Sequence, residues 1–413
     1  MYKSFKQALR ALFSNKARTI LTTLGIMIGI ATVILVLSAG AGFRRLIDDQ
    51  VASYGTNTLY VQTKVPSNSK NIAANHQNAA NSGIVITSFN QRDLDSIKRV
   101  PNVVDAYGMV IGQATAGYRN NQKSVAYVGV SASMFNIDQS TFKSGRSFTE
   151  EENNGGAQVV ILGNKIATEL FKQDEPIGKL LRIGSLNFQV IGVYNPSSGL
   201  GGGNDDYLFI PLNTAQKKML GINYLVEAVV QIADIDFSDA VAADISNAIR
   251  YNHNITDPAK DDFEVMTQAQ VMDIFNTIFN SITILLIAIA AISLVVGGVG
   301  IMNVMYVVVT ERTAEIGLKK ALGAKRCDIL LEFLIESVLV TLLGGAIGIL
   351  FGVLLTWILT AIAIAYGLDW TFIIPFYAIA IGFGVSALIG IGFGVFPAVN
   401  ASKLDPIEAL NHE

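Results

Sequence analysis

Residues able to do covalent or metal chemistry are few in this sequence, and their spacing does not suit it. The histidines, His76, His253 and His412, lie far apart, and none stands in a ligand-spaced motif. Asp234-x-Asp236-x-Ser238 opens as a calcium loop does. Its sixth position, however, is Asp239 where the turn needs Gly, and its twelfth is Ile245 where a bidentate Glu belongs. The segment therefore reads as a strand end followed by a helix cap. Cys327 is the one cysteine, so no internal disulfide forms, and it reads as a free cytosolic thiol without a role. There is no Gly-x4-Gly-Lys-Ser/Thr phosphate loop and no Gly-x-Ser-x-Gly elbow. The sequence thus offers no catalytic residues and no metal ligands, and it does not read as an enzyme.

Another segment has a spacing suited to receiving force. Between Val309 and Lys325, Ala314, Leu318, Ala321 and Leu322 recur at i, i+4, i+7 and i+8, one apolar face of a helix. Glu315 and Lys319 form an i,i+4 pair in the favourable order, and Lys319 and Lys320 fall in the last turn, where the helix dipole favours cations. Gly323 fits the left-handed position after the helix, and a further helix starts near Asp328. Two readings fit this pattern: a short helix on which a partner pushes, or a surface helix lying on lipid headgroups.

The elements that would hold this helix are membrane spans. Hydrophobic residues make up 51% of the 413 and charged residues only 15%, and the deficit is local. Residues 19–43, 274–310, 337–368 and 370–402 carry no Asp, Glu, Lys or Arg. Each run exceeds the roughly 20 apolar residues that cross a bilayer. The first run is too long for the apolar core of a cleaved signal peptide, and Gly25, Gly29 and Gly40 read as helix-packing positions, so it is expected to remain as a span. Lys3, Lys6, Arg10, Lys16 and Arg18 precede span one, and Arg312, Lys319, Lys320, Lys325 and Arg326 lie between spans two and three. By the positive-inside rule both termini and that loop are cytoplasmic, and residues 43–279 and the loop 364–374 face outward. The expected layout is a cytoplasmic amphipathic helix at 1–18, then TM1 at 19–42 and the outer domain at 43–279. TM2 follows at 283–307, the cytoplasmic coupling region at 308–336, TM3 at 337–363, TM4 at 375–397 and a cytoplasmic tail at 398–413. The second run, as one helix, would reach roughly 55 Å, so its first part is expected as a stalk, 267–282, outside the bilayer.

The outer domain alternates strand-like and helix-like stretches. Strands are expected near 58–63, 103–117, 124–130, 225–232 and 263–266, with helices at 89–100, capped by Ser88 and Gln91, and at 238–251. This is a βαβ pattern, 43–137 and 221–266, split by an insertion at 138–220 that is expected as a β-rich subdomain. Residues 66–83, rich in Asn, Ser and Ala, and the Gly-rich 197–206 read as mobile loops. The fold class is therefore an α-helical membrane domain of four spans with an α+β extracytoplasmic domain. No charged residue lies inside the spans, which argues against an ion-coupled path through them. Small residues recur at helical spacing instead: Gly344, Gly348 and Gly352, then Gly382, Ser386, Gly390 and Gly394. These are expected to pack spans three and four together or to face a second subunit.

Four stretches, in order along the chain, resemble the MacB-type ABC permeases, the family of macrolide exporters related to lipoprotein extractors and FtsX. The first is Ala8-Leu-Arg-Ala-Leu-Phe-Ser-Asn-Lys-Ala-Arg-Thr19 running on to Gly29. The most specific is Ile292-Ser-Leu-Val-Val-Gly-Gly-Val-Gly-Ile-Met-Asn303 leading into Thr310-Glu-Arg-Thr-Ala-Glu-Ile-Gly317. Gly192-Val-Tyr194 up to Ile210-Pro-Leu-Asn-Thr-Ala215, and Phe396-Pro-Ala-Val-Asn-Ala-Ser-Lys-Leu-Asp-Pro-Ile-Glu-Ala-Leu410, complete it. The resemblance implies a homodimeric permease in a bacterial inner membrane, bound to two copies of a separate ATPase, since the ATPase that some members carry at the N-terminus is missing here. ATP and Mg would be bound by that partner and by nothing in this chain. It implies mechanotransmission, in which ATPase closure moves the outer domains to drive efflux of drugs, antimicrobial peptides or similar amphiphiles. The alternative is an FtsX-like regulator of an extracellular cell-wall hydrolase, or a scaffold that needs no ATPase. Implied partners are the ATPase, a second copy of the chain, membrane lipid and, in export systems, a membrane-fusion adaptor; nucleic acid is not among them. The implied coupling residues are Glu311, Arg312, Thr313, Glu315, Ile316, Gly317, Lys320, Ala321, Gly323 and Ala324. The implied helix-packing residues are Gly25, Gly29, Gly297, Gly298, Gly300, Gly344, Gly348, Gly352, Gly390 and Gly394.

Overall fold

The computed structural model describes residues 16–53, 57–66, 85–138, 140–196, 200–366 and 368–410. Residues 1–15 of the entry helix expected at 1–18, and nearly all of the Asn-rich segment 66–83, lie outside them. Along the chain the principal helices are α1 (Lys16–Ser53), α2 (Gln91–Ile97), α3 (Asn164–Phe171), α4 (Ser238–His253), α5 (Gln268–Glu311), α6 (Thr313–Ala321), α7 (Arg326–Ala365), α8 (Phe376–Lys403) and α9 (Pro406–Leu410). The strands are β1 (Thr58–Thr63), β2 (Val103–Tyr118), β3 (Asn121–Val130), β4 (Phe142–Gly145), β5 (Val159–Leu162), β6 (Leu180–Ile183), β7 (Leu186–Tyr194), β8 (Tyr207–Pro211), β9 (Glu227–Ile232) and β10 (Phe263–Thr267). The chain divides into two units, one built mainly from Leu46–Phe275 and one from the long apolar helices.

In the first unit the strands form one sheet in the order β10-β1-β9-β2-β3-β8-β5-β7-β4, with β6 pairing β2 and β7. β2 and β3 make a hairpin closed by the pair Tyr118↔Asn121, so both strands run further into the turn than the expected 103–117 and 124–130. β8 lies parallel to β3, and β5 antiparallel to β8, so the strands of 138–220 extend the sheet of the βαβ part. The expected separate subdomain is therefore a β-rich insertion that shares its neighbour's hydrogen-bond ladder. The cause is β3, whose second edge accepts β8. β5, Val-Val-Ile-Leu, is buried throughout, as a central strand covered on both faces must be. The expected cap at Ser88 and Gln91 is displaced by two residues. Asn90 accepts from the Arg92 N–H, and Asp93 accepts from the Asn90 N–H to complete the capping box. The Ser88 hydroxyl is engaged elsewhere, donating to Asp262. The described part of the Gly-rich loop has regular structure. Leu200–Asp206 is a 3₁₀ turn held by Lys165–Asp206 at 2.9 Å and by Asn204 donating to Ser140 at 2.9 Å. Residues 197–199 lie outside the described set.

In the second unit α1, α5, α7 and α8 are long and apolar enough to be membrane spans. α5 joins the expected stalk and span two without a break. α1 continues past the expected boundary at 42 to Ser53, because Phe43-Arg-Arg-Leu-Ile-Asp-Asp contains no helix breaker. The small residues set how closely these helices approach. A Cβ on Gly25 would lie 2.8 Å from the Gly297 Cα, so α1 and α5 cross backbone to backbone. Leu294 fills the space over Gly29, and Phe393 of α8 covers Gly298; Gly300 is half-buried. The Gly344, Gly348, Gly352 row does not face span four as expected. It faces α1, where Cβ atoms on Gly348 and Gly352 would meet the Met27 carbonyl and the Ile34 side chain, each at 2.8 Å. α7 meets α8 mainly nearer its N-terminal end. Gly345 sits against Ser386, Gly390 against Val338 and Thr341, and Gly394 against Ser337. The Ser337 hydroxyl donates to the Gly390 carbonyl at 2.8 Å in this contact. Ser337 and Thr341 lie seven residues before Gly344 and Gly348, so nearly one face of α7 serves both neighbours at different heights.

Candidate coupling site

The polypeptide leaves α5 at Glu311, which is exposed, bends at Arg312 and enters α6. The Thr313 hydroxyl donates back to the Val309 and Thr310 carbonyls and covers the bend. α6 ends in a Schellman turn. The Gly323 N–H donates to the Lys320 carbonyl and the Ala324 N–H to the Lys319 carbonyl, each at 3.0 Å. Gly323 sits at φ +99°, as the pattern of residues predicts, and Lys325 N–H then donates to Asp328 to start α7.

Arg312 is the hub of the elbow. Its guanidinium donates to Glu315 at 2.9 and 3.1 Å and to Glu336 at 3.2 Å. It also pairs with Glu332 at 3.6 Å and lies 5.5 Å from the centre of the Phe333 ring. Lys319 bridges Glu315 at 3.0 Å and Glu332 at 2.8 Å. The Arg312 hydrogen bonds outweigh partial burial and, with help from Lys319, hold the Glu315 carboxyl at about 2. Lys320 turns the other way and donates to the Ser402 and Leu404 carbonyls, 2.7 and 2.5 Å away, at the end of α8. Ile316 and Gly317 are buried, and Ile316 joins Ile329, Phe333, Ala398 and Ala401 in the apolar core of this unit. Ala324 packs half-buried against the same core.

The four residues of the predicted apolar face are exposed and do not join the core formed by the described residues. Ala314 and Ala321 are exposed, Leu318 is 53% exposed and Leu322 81%. α6 thus has two sides: an inner one of Ile316, Gly317 and Lys320 fixed to α7 and α8, and an outer apolar one that is open. Sequence reasoning missed Glu332, Glu336, Ser402 and Leu404. Glu332 and Glu336 stand at i and i+4 just before the third apolar run, opposite a segment rich in cations, and that spacing was the available signal. The two carbonyls have no sequence signal. Cys327 is exposed in the first turn of α7. Among the described residues no group of His, Cys, Asp and Glu has the arrangement of a metal site.

Residues 19–248 match the MacB-like periplasmic core domain, and residues 287–406 match the FtsX-like permease C-terminal domain. The chain belongs to the MacB-type permease family. The permease is 36% identical over 417 residues to the macrolide export ATP-binding/permease protein MacB of Bdellovibrio bacteriovorus, covering all of this chain and 62% of that one. It is 37% identical over 410 residues to the protein of the same name from Chlorobaculum tepidum, covering 98% of this chain and 61% of that one. The chain therefore spans about three fifths of the length of these relatives. Among solved structures, the periplasmic region of MacB from Actinobacillus actinomycetemcomitans aligns with TM-score 0.45 and 18% identity, over 55% of this chain and 95% of that one. The extracellular domain of the Gram-positive ABC-type transporter YknZ aligns with TM-score 0.42 and 22% identity, over 51% of this chain and all of that one. The permease is thus an inner-membrane protein with an extracytoplasmic domain.

Proposed function

We propose that this permease couples ATP hydrolysis in a separate ATPase to movement of its extracytoplasmic domain, and that α6 is where the ATPase docks. Two permease chains and two ATPase copies form the working assembly, and the work done is efflux of amphiphiles such as drugs or antimicrobial peptides. The observation that carries this reading is the two-sided α6. An open apolar stripe of Ala314, Leu318, Ala321 and Leu322 suits a cleft on a partner. The opposite side is tied by charge pairs and a buried isoleucine to α7 and α8. A partner gripping the stripe pulls on three spans at once, because α5 is joined to α6 through the bend at Arg312. A path for substrate between the spans is not required, which agrees with their lack of Asp, Glu, Lys and Arg.

The test is co-purification of the ATPase with the full-length permease. Leu318→Glu and Leu322→Glu change only exposed positions, so the protein folds. Both are expected to lose the ATPase and its stimulation by the permease, whereas Ile407→Glu in α9, 73% exposed, retains both. Undiminished ATPase binding by the Leu318→Glu, Leu322→Glu double variant overturns the assignment.

A further inference from the structure

A second side-chain network lies in the extracytoplasmic unit, and nothing in the coupling reading uses it. His253, the last residue of α4, is buried, with 6% of its side chain exposed. Both ring nitrogens face carboxylates: Nδ1 is 2.8 Å from Asp262, and Nε2 is 3.2 Å from Asp93. Asp93, 1% exposed, is the residue that completes the capping box of α2, and its other oxygen accepts from Asn252 at 2.8 Å. Asp262 also accepts from the Ser88 hydroxyl. The Phe263 ring stands edge-on to the imidazole at 6.1 Å. The charged groups facing the ring are therefore Asp93 from α2 and Asp262 from the segment entering β10. The neighbouring Arg250 is closed on Asp261, with bonds of 2.7, 2.9 and 3.1 Å.

A neutral imidazole has one N–H and one lone pair, whereas an imidazolium has two N–H groups. An ionised carboxylate only accepts. With a carboxylate at each nitrogen, both contacts are hydrogen bonds only when the ring is charged. Loss of the proton sets a lone pair against a buried carboxylate, and the longer contact, to Asp93, is the one that yields.

We propose that His253 is a proton-operated clamp in the extracytoplasmic domain. Charged, it binds α2, the end of α4 and the start of β10 together; neutral, it drops its bond to α2, which is then held by Asn252 and its apolar face. β10 runs from the clamp at Asp262 to Gln268, where α5 begins, so the clamp holds the far end of the strand that leads into the longest helix in the described chain. The acidity of the outer compartment then sets how firmly that end of the strand is held to α2 and α4. Burial opposes the charged ring, but the hydrogen bonds and charges of Asp262 and Asp93 outweigh it and raise its pKa above 6.5. The sign follows: the clamp is complete below 6.5 and is lost as pH rises through the raised value.

The experiment uses the full-length permease in lipid nanodiscs. The sequence has three histidines, so His253→Gln assigns the His253 signal in a carbon–proton NMR spectrum of the rings. A titration midpoint above 6.5 is expected, and Asp262→Asn, which keeps the ring but removes one charge, is expected to lower it. In parallel, hydrogen exchange corrected for its intrinsic pH dependence is read over α2 and α3. Protection of α2 falls by up to tenfold per pH unit above 6.5 in the wild type and is flat with pH in His253→Gln. Protection of α3 does not change. A midpoint at or below 6.5, no shift with Asp262→Asn, or an equal pH slope in His253→Gln overturns the proposal. The Asp262→Asn comparison stands even where His253→Gln fails to fold.

Discussion

Replacing Arg312 with Met keeps an unbranched apolar stem and removes the charged guanidinium. The consequence depends on which carboxylate is left behind. Glu315 has 41% of its side chain exposed, so its pair with Arg312 contributes only a few tenths to about 1 kcal/mol. Contact with the Phe333 face adds about 0.5–1 kcal/mol. Glu336 is different: 8% of its side chain is exposed, and removal of its cation strands a buried charge, which costs about 3–5 kcal/mol. Arg312→Met is therefore expected to destabilise the helical unit by about 3–5 kcal/mol, or roughly 10 °C in its unfolding midpoint. Arg312→Met with Glu336→Gln leaves no stranded charge and is expected to recover more than half of the loss, whereas Glu315→Gln alone costs under about 1 kcal/mol. Thermal unfolding of these four proteins and of Glu336→Gln alone, in one detergent, measures this. Losses that simply add in the double variant, or a loss in Arg312→Met no larger than in Glu315→Gln, refute the reasoning.

Gly25→Leu places a side chain where the Gly297 backbone lies and is expected to separate α1 from α5, lowering the midpoint and the yield in detergent. Gly384→Leu, at a position with open space around it, is expected to leave both unchanged. Gly323→Ala meets no neighbour within 4 Å, so its cost of about 1–2 kcal/mol comes only from the left-handed backbone; it is expected to loosen the Schellman turn, read as faster hydrogen exchange at Gly323 and Ala324. With the Glu315 carboxyl held at about 2 against an ordinary 4.5, its contribution is complete above 4.5 and lost as pH falls toward 2. Protection of α6, read from exchange corrected for its intrinsic pH dependence, is therefore expected to be flat from pH 5 to 8 and to fall only in acid, and a fall near neutrality contradicts the pairing.

The spans, most strands and α6 were legible because each rests on a local pattern. Thr58–Thr63 is rich in the β-branched and aromatic residues that strands favour, and residues 313–321 show a helical period with a glycine stop. What local pattern does not contain is the partner. Ser88 and Asn90 are both good helix caps with an acceptor three residues on. The choice fell to Asn90 because Ser88 is drawn to Asp262, 174 residues away. Periodicity identified the Gly344, Gly348, Gly352 row as a contact face but gave no means of telling α1 from α8. Charge at Arg44 marks where an apolar run stops, which is a different question from where a helix stops, and α1 goes on to Ser53. At the elbow the segment's own residues were found, while Glu332 and Glu336, contributed by the next helix, and the carbonyls at the end of α8 were not. His253 lay outside every motif because its two carboxylates come from positions 160 residues before it and 9 after it.

The crossing at Gly25 and Gly297 has a mechanical corollary. On the same side of α5, one turn to either side of Gly297, stand Leu294 and Ile301, both buried. Sliding α5 along α1 by a turn would drive one of these branched side chains into the notch that only hydrogen atoms now occupy, whereas tilting about the notch displaces nothing. The pair works as a pivot with a stop on each side, so the two rods are free to rock and barred from shuttling.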